Sequence, residues 1–242
     1  MRKKIRLGVN IDHVATLRNA RGEDFPNLIE VVKVLKELKV NSVTVHLRED
    51  RRHINDKDIE DLSECNFLPL NLEMAATEEM KQKCILYKPF ACCIVPERRE
   101  ELTTEGGLNV MAQKSYLNSF LPEIIDSGIR TSLFVDPCLE QIKVANDLGV
   151  NAVELHTGKY SRLFKKKNFL DELKRIEDAA KLCLNLGLEC HAGHGLDFFN
   201  VKNISNIQEI EELNVGHFLI SNAIFDGLKK TITDFQNIVS EN

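Results

Sequence analysis

The chain has 242 residues, 43% of them hydrophobic, and a formal net charge of −5. That length can bury a large core, and the acidic balance argues against a nucleic-acid partner. No apolar run approaches the ~20 residues of a membrane-spanning helix, and the basic opening Met1–Arg6 lacks the apolar segment and cleavage site of a signal peptide.

Strand and helix patterns alternate from the start. A first strand is expected over Ile5–Asp12 and a helix over Asn27–Lys39. Strand Ser42–Arg48 precedes helix Asp56–Cys65, and strand Leu68–Ala75 precedes helix Glu78–Tyr87. Strand Phe90–Pro96 is followed by helix Asn109–Ser127, strand Arg130–Asp136 by helix Leu139–Leu148, and strand Ala152–Thr157 by helix Phe169–Leu186. Leu188–Ala192 is the seventh strand and Glu212–Gly216 a weaker eighth. Beyond it Ile220, Ile224, Leu228, Ile232, Phe235 and Val239 recur at helical spacing, so one last helix is expected from near His217. Gly128, Gly149 and Gly187 each follow a helical run and precede a strand, the position of a helix stop.

Alternating strands and helices imply a parallel sheet. Eight units at a spacing of roughly 30 residues imply a closed (β/α)8 barrel, here one domain over residues 1–242 with additional short helices. A doubly wound sheet would place a Gly-rich phosphate loop after its first strand; here that strand runs into Asn10-Ile11-Asp12-His13. The seven cysteines are scattered with no CxxC spacing, which reads as reduced thiols in a cytoplasmic protein.

All seven histidines (His13, His46, His53, His156, His191, His194 and His217) are expected at strand ends or in the loops that follow, the catalytic face of such a barrel. Strand alternation adds direction. Gly8, Asn10 and Asp12 share a face, as do Thr44, His46 and Arg48, then Asn71 and Glu73, then Glu154 and His156. Val9, Ile11, Val43, Val45, Leu70, Leu72, Val153 and Leu155 take the other parity, toward the helices. Polar groups would therefore line the barrel axis, where branched apolar side chains are usual.

The loop His46–His53 holds three arginines and two histidines, a composition suited to anionic groups. Thr103-Thr104-Glu105-Gly106-Gly107 has the hydroxyls and glycines of a closing loop. In His191-Ala192-Gly193-His194-Gly195 the glycines let backbone approach a ligand, and Gly216-His217 opens a helix whose amides suit a phosphate. His191 and His194, with Asp12, His46 and Glu73, are also metal-ligand types, but the His pair lies in a Gly-rich loop and no metal is expected.

Gly8–Gly22, Thr44–His53, Asn71–Ala75, Val95–Glu97 with Thr103–Gly107, Glu154–Gly158, Ala192–Leu196 and Asn214–His217 together resemble the pyridoxine 5'-phosphate synthase family, over about residues 5–230. The resemblance implies condensation of 3-amino-2-oxopropyl phosphate with 1-deoxy-D-xylulose 5-phosphate to pyridoxine 5'-phosphate, phosphate and water, with neither metal nor organic cofactor. It implies acid/base roles for His46, Glu73 and His194, and transition-state stabilisation by Glu154. Asn10, Arg21, Gly195, Gly216 and His217 would hold the aminoketone phosphate, and Asp12, His13, Arg48, His53 and Thr103 the deoxyxylulose phosphate. It also implies a homo-octamer. Two positions depart: Asn222 stands where relatives commonly carry Arg, and His191 where they tolerate Asn or His. Closing a pyridine ring needs many proton transfers, which agrees with several acid/base groups around one pocket. Two alternatives are a metal-dependent barrel hydrolase using Asp12, His46, His191 and His194, and a phosphometabolite-binding barrel without catalysis.

Overall fold

The structure is a computed structural model that describes residues 4–97 and 106–240. Eight parallel strands close in sequence order into a barrel, β1 pairing with β8. The elements are β1 (Arg6–Asn10), α1 (Asp12–Asn19), α2 (Leu28–Glu37), β2 (Ser42–His46), α3 (Asp56–Cys65), β3 (Leu70–Met74), α4 (Glu78–Tyr87) and β4 (Ala91–Ile94). They continue with α5 (Lys114–Asp126), β5 (Arg130–Val135), α6 (Leu139–Asp147), β6 (Ala152–His156), α7 (Gly158–Lys165), α8 (Leu170–Leu186) and β7 (Glu189–Gly193). Last come α9 (Val201–Ser205), β8 (Ile210–Val215), α10 (His217–Asp226) and α11 (Leu228–Ser240).

All eight expected strands form, each within two residues of its expected bounds. The first stops early. Asn10 Oδ1 accepts the Asp12 amide at 3.0 Å, turning the chain into α1, so Asp12 belongs to a helix and not to the strand. The expected last helix is two, α10 and α11, broken at Gly227 with φ +79°. Asn109–Ser127 shortens to α5, and α1, α7 and α9 were outside the expected helices. Gly128, Gly149 and Gly187 are left-handed, with φ of +79°, +74° and +76°, as a helix stop requires.

The barrel wall separates two environments. Outward residues such as Val9, Val43, Val45, Leu72, Val153 and Leu155 are buried against the helices in one large cluster. Inside, a small separate cluster of Cys93, Val95 and Phe134 forms, and the remaining axis is largely polar. Thr44 donates to Asn214 Oδ1 at 3.3 Å, and Asn214 Nδ2 to Glu154 Oε2 at 2.7 Å. These bonds let polar side chains stay buried. At the N-terminal end of the barrel, Arg6 pairs with Glu212 at 2.8 Å, and Glu189 bridges Arg6 and Arg130. The strand starts are thereby tied together by charge, leaving the opposite end for ligands.

Candidate active site

At the C-terminal mouth lies a cavity of about 760 Å³. Twelve of the residues singled out in the sequence line it: Asn10, Asp12, His13, His46, Arg48, His53, Glu73, Glu154, His194, Gly195, Gly216 and His217. They come from β1, β2, β3, β6, β7 and β8 or the segments just after them, so only barrel closure brings them together.

Two expected members do not appear there. Arg21 lies away from the cavity, with a side chain 78% exposed and its guanidinium 3.7 Å from Glu23, so one chain alone does not bring it to the mouth. Thr103, with Thr104 and Glu105, lies outside the described residues. His191 also departs from expectation. It sits within β7, its Nε2 3.0 Å from Glu189 and 3.5 Å from Arg6, inside the ion cluster at the strand starts. The Asp12, His46, His191, His194 set therefore does not assemble. Asp12, His46 and Glu73 do bring ligating atoms within 4.8 Å of one another, close enough for a cation.

Asp12 organises one side. Its Oδ1 accepts the His46 amide at 2.8 Å and lies 3.9 Å from His53 Nδ1, while Oδ2 accepts Asn10 Nδ2 at 2.9 Å. Asn10 also reaches Glu73 Oε2 at 3.5 Å. His46 and Glu73 sit side by side in register on β2 and β3.

His194 stands on the other side in the left-handed region, φ +79°, followed by Gly195 with the same φ. Such a backbone is costly for a residue with a side chain and is found at functional turns. It is clamped: Thr157 Oγ1 donates to the carbonyls of Gly193 and His194 at 2.8 and 2.7 Å, and Ser161 Oγ donates to Gly195. Gly158 makes room for it, since a Cβ there would lie 2.8 Å from His194 Cδ2. His194 packs against His156 with centroids 5.0 Å apart.

Burial sets the protonation states. Glu73 is pushed well above the usual carboxylate range by desolvation, then by Glu154 and Asp12, against the Asn10 hydrogen bond. Glu154 rises to about 7 through burial, with His191 and Asn214 opposing. His194 falls to about 4 through burial, then His156, Arg162 and His217. His13 and His53 are lowered, also mainly by burial. Between them the mouth holds carboxyl groups that keep protons and imidazoles that shed them, a set able to act both as acid and as base near neutral pH.

These shifts predict opposing slopes of stability with pH. Below its unfolded value of 6.5, His194 takes up a proton only when unfolded, so its contribution falls as pH drops from 6.5 through about 4. Above 4.5, Glu154 ionises only when unfolded, so its contribution falls as pH rises from 4.5 through about 7. Denaturant unfolding of Glu154→Gln should therefore lose stability more steeply than the parent on acidification from 6.5 to 4.5, by up to about 1.4 kcal/mol per pH unit. His194→Asn should tilt the other way. Identical pH slopes in parent and variants would refute both shifts.

Sequence reasoning assigned no role to several residues that line the cavity or contact its lining. The Glu97 side chain is fully buried beside the site, its Oε2 3.4 Å from His46 Nε2, its Oε1 accepting the Glu49 amide at 2.9 Å and lying 3.8 Å from Arg48. Its sequence signal is the Val95–Glu97 motif, which carries the resemblance but no role for this carboxylate. Ser161, Arg162 and Lys165 line the cavity from α7, a helix with no clear boundary signal, and Asn214 lines it from β8.

A family profile described as "Pyridoxal phosphate biosynthesis protein PdxJ" matches residues 7–241. The pyridoxine 5'-phosphate synthase of Zymomonas mobilis is 50% identical over 232 residues, 96% of this chain and 90% of that one. The pyridoxine 5'-phosphate synthase of Roseobacter denitrificans is 47% identical over 240 residues, 98% of this chain and 96% of the relative. Among solved structures, orotidine 5'-monophosphate decarboxylase from Methanocaldococcus jannaschii superposes with a TM-score of 0.67 at 9% identity, covering 98% of this chain and 100% of that one. At that identity the likeness is one of fold.

Proposed function

We propose that this chain, which belongs to the PdxJ family of pyridoxal phosphate biosynthesis proteins, condenses 3-amino-2-oxopropyl phosphate with 1-deoxy-D-xylulose 5-phosphate to pyridoxine 5'-phosphate, phosphate and water. The observation that carries this reading is a single cavity with acid/base groups at its centre and anion-receiving groups on either side. His46, Glu73 and His194 move the protons of imine formation, dehydration and ring closure. Glu154, buried and tied to Asn214, stabilises the charge that develops between them.

Two phosphorylated substrates need two sites. Arg48, His53, Asp12 and His13 are the groups for the deoxyxylulose phosphate, with Thr103 joining from the segment after β4. Asn10, Gly195, Gly216 and His217 hold the aminoketone phosphate. Arg21 belongs to this set by resemblance only, since its side chain points to Glu23 in the single chain. A homo-octamer and a cytoplasmic location complete the reading. The location is supported by seven unpaired cysteines and by the lack, among the described residues, of any helix long and apolar enough to cross a membrane.

The test mixes purified protein with both substrates and follows pyridoxine 5'-phosphate absorbance and phosphate release, with and without EDTA. Product and phosphate should appear together in both conditions. Neither appearing with intact substrates would overturn the reading. Loss of activity in EDTA, restored by a divalent cation, would favour metal chemistry at Asp12, His46 and Glu73 instead.

A further inference from the structure

The cavity has two cation-bearing sides, and their cations are held differently. Beside β2, Arg48 and Arg52 are both paired with Asp50, at 3.4 and 2.6 Å. On the opposite side, Gly195, Gly216 and His217 offer backbone and one imidazole. Helix α10 adds no lysine or arginine there, and its Asn222 donates to Asp226 and Thr231 at 3.0 and 3.1 Å.

Helix α7 does. Arg162 and Lys165 line this wall, three residues apart and therefore neighbours on the helix surface. Among the described residues, every other arginine has a carboxylate within ion-pair distance. Arg162 has none, and makes no side-chain hydrogen bond there. Asp197, the carboxylate on the same wall, is already occupied by the amides of Phe199 and Asn200, at 2.9 and 3.0 Å. An unpaired guanidinium at the rim of a cavity is a fork waiting for a planar or tetrahedral anion, and phosphate matches it bidentately.

We propose that Arg162, assisted by Lys165, is a further cation, from within the same chain, that holds the phosphomonoester of the amino ketone against Gly195, Gly216 and His217. The proposal rests on the synthase reading for the identity of the substrate, and on the cavity alone for the anion site. Arg162 is a binding residue here, so its removal should weaken capture of one substrate without slowing the chemistry.

Steady-state kinetics of Arg162→Ala, Lys165→Ala and the double variant test it, with each substrate varied in turn. KM for the aminoketone phosphate should rise about tenfold to a hundredfold in the double variant. KM for the deoxyxylulose phosphate and kcat should stay within about threefold. Arg162→Lys should recover part of the loss, since it keeps the charge without the fork. An unchanged KM for the aminoketone phosphate in a parent that turns over would overturn the inference and leave the synthase reading standing. So would a rise confined to the other substrate.

Calorimetric titration with inorganic phosphate gives a readout independent of turnover. The double variant should lose one class of phosphate site that the parent shows. If the parent fails to make product yet this site is still lost in the variant, the synthase reading falls and the anion site at Arg162 is upheld. Identical phosphate isotherms for parent and double variant would refute it.

Discussion

Replacing Glu73 with Gln is expected to lower kcat by about 10²–10⁴-fold, the range associated with losing a general acid/base group, while both KM values move only a few-fold. The amide keeps the size of the carboxyl and can still accept from Asn10, whose Nδ2 lies 3.5 Å from Glu73 Oε2. It cannot exchange a proton. Desolvation and the neighbouring Glu154 and Asp12 push Glu73 well above the usual range, so the native side chain can carry a proton to the reacting centre and take one back. His46 is its register partner on β2, and the ligating atoms of the two lie within 4.8 Å of each other. Thermal unfolding should show a variant at least as stable as the parent, because a buried acid among carboxylates is itself unfavourable. Retention of kcat, or a loss confined to KM, would remove Glu73 from the chemistry.

Much of the fold could be read from the chain because its local signals agree. Short β-branched runs end at Gly128, Gly149 or Gly187 on their N-terminal side, and the left-handed φ of those glycines is the physical basis of the signal. Parity along the strands placed Asn10, His46, Glu73 and Glu154 on the axis, because side chains alternate faces and their apolar neighbours take the helix-facing one. For Asp12 the rule gave the right destination, the mouth, but the wrong element. The Asn10 side chain accepts the Asp12 amide where the strand ends, two residues earlier than expected, and Asp12 reaches the cavity from the first turn of α1.

His191 shows a different limit. Its sequence position, beside His194 in a Gly-rich stretch, invites a place at the mouth. Strand tilt and register instead set it opposite Glu154 and Glu212, where Glu189 and Arg6 capture the ring. Arg162 and Lys165 were illegible for the opposite reason. Nothing in Gly158–Lys165 separates a cavity-facing cation from the solvated lysines that follow, and only the closed barrel shows which turn of α7 meets the mouth. Arg21, read from its motif, depends on an environment that one chain does not supply.

Gly193→Ala is expected to damage both stability and turnover, although β7 is regular there and its φ suits any residue. A Cβ at this position would collide with Glu154 Oε1 and lie 2.9 Å from the Asn214 carbonyl oxygen. Neither neighbour can move freely. The Asn214 carbonyl belongs to β8, whose register with Gly193 is fixed by the barrel, and Glu154 is held by Asn214 Nδ2 at 2.7 Å. Relief requires Glu154 to swing away, which breaks that bond and leaves a buried carboxyl without its donor. Overpacking costs about 1–3 kcal/mol and the lost bond about 1–3 kcal/mol more, so unfolding should register a loss of about 2–5 kcal/mol. Turnover should fall at least tenfold, since about 1.4 kcal/mol of lost transition-state stabilisation is already a factor of ten. Gly128→Ala separates this from glycine loss in general. Its φ of +79° strains any side chain, but a Cβ there meets nothing within 4 Å, so it should lower stability by about 1–2 kcal/mol and leave kcat alone. If Gly193→Ala instead matches the parent in both unfolding and turnover, β7 does not approach Glu154 as closely as the barrel requires, and the carboxylate is not confined at the centre of the mouth.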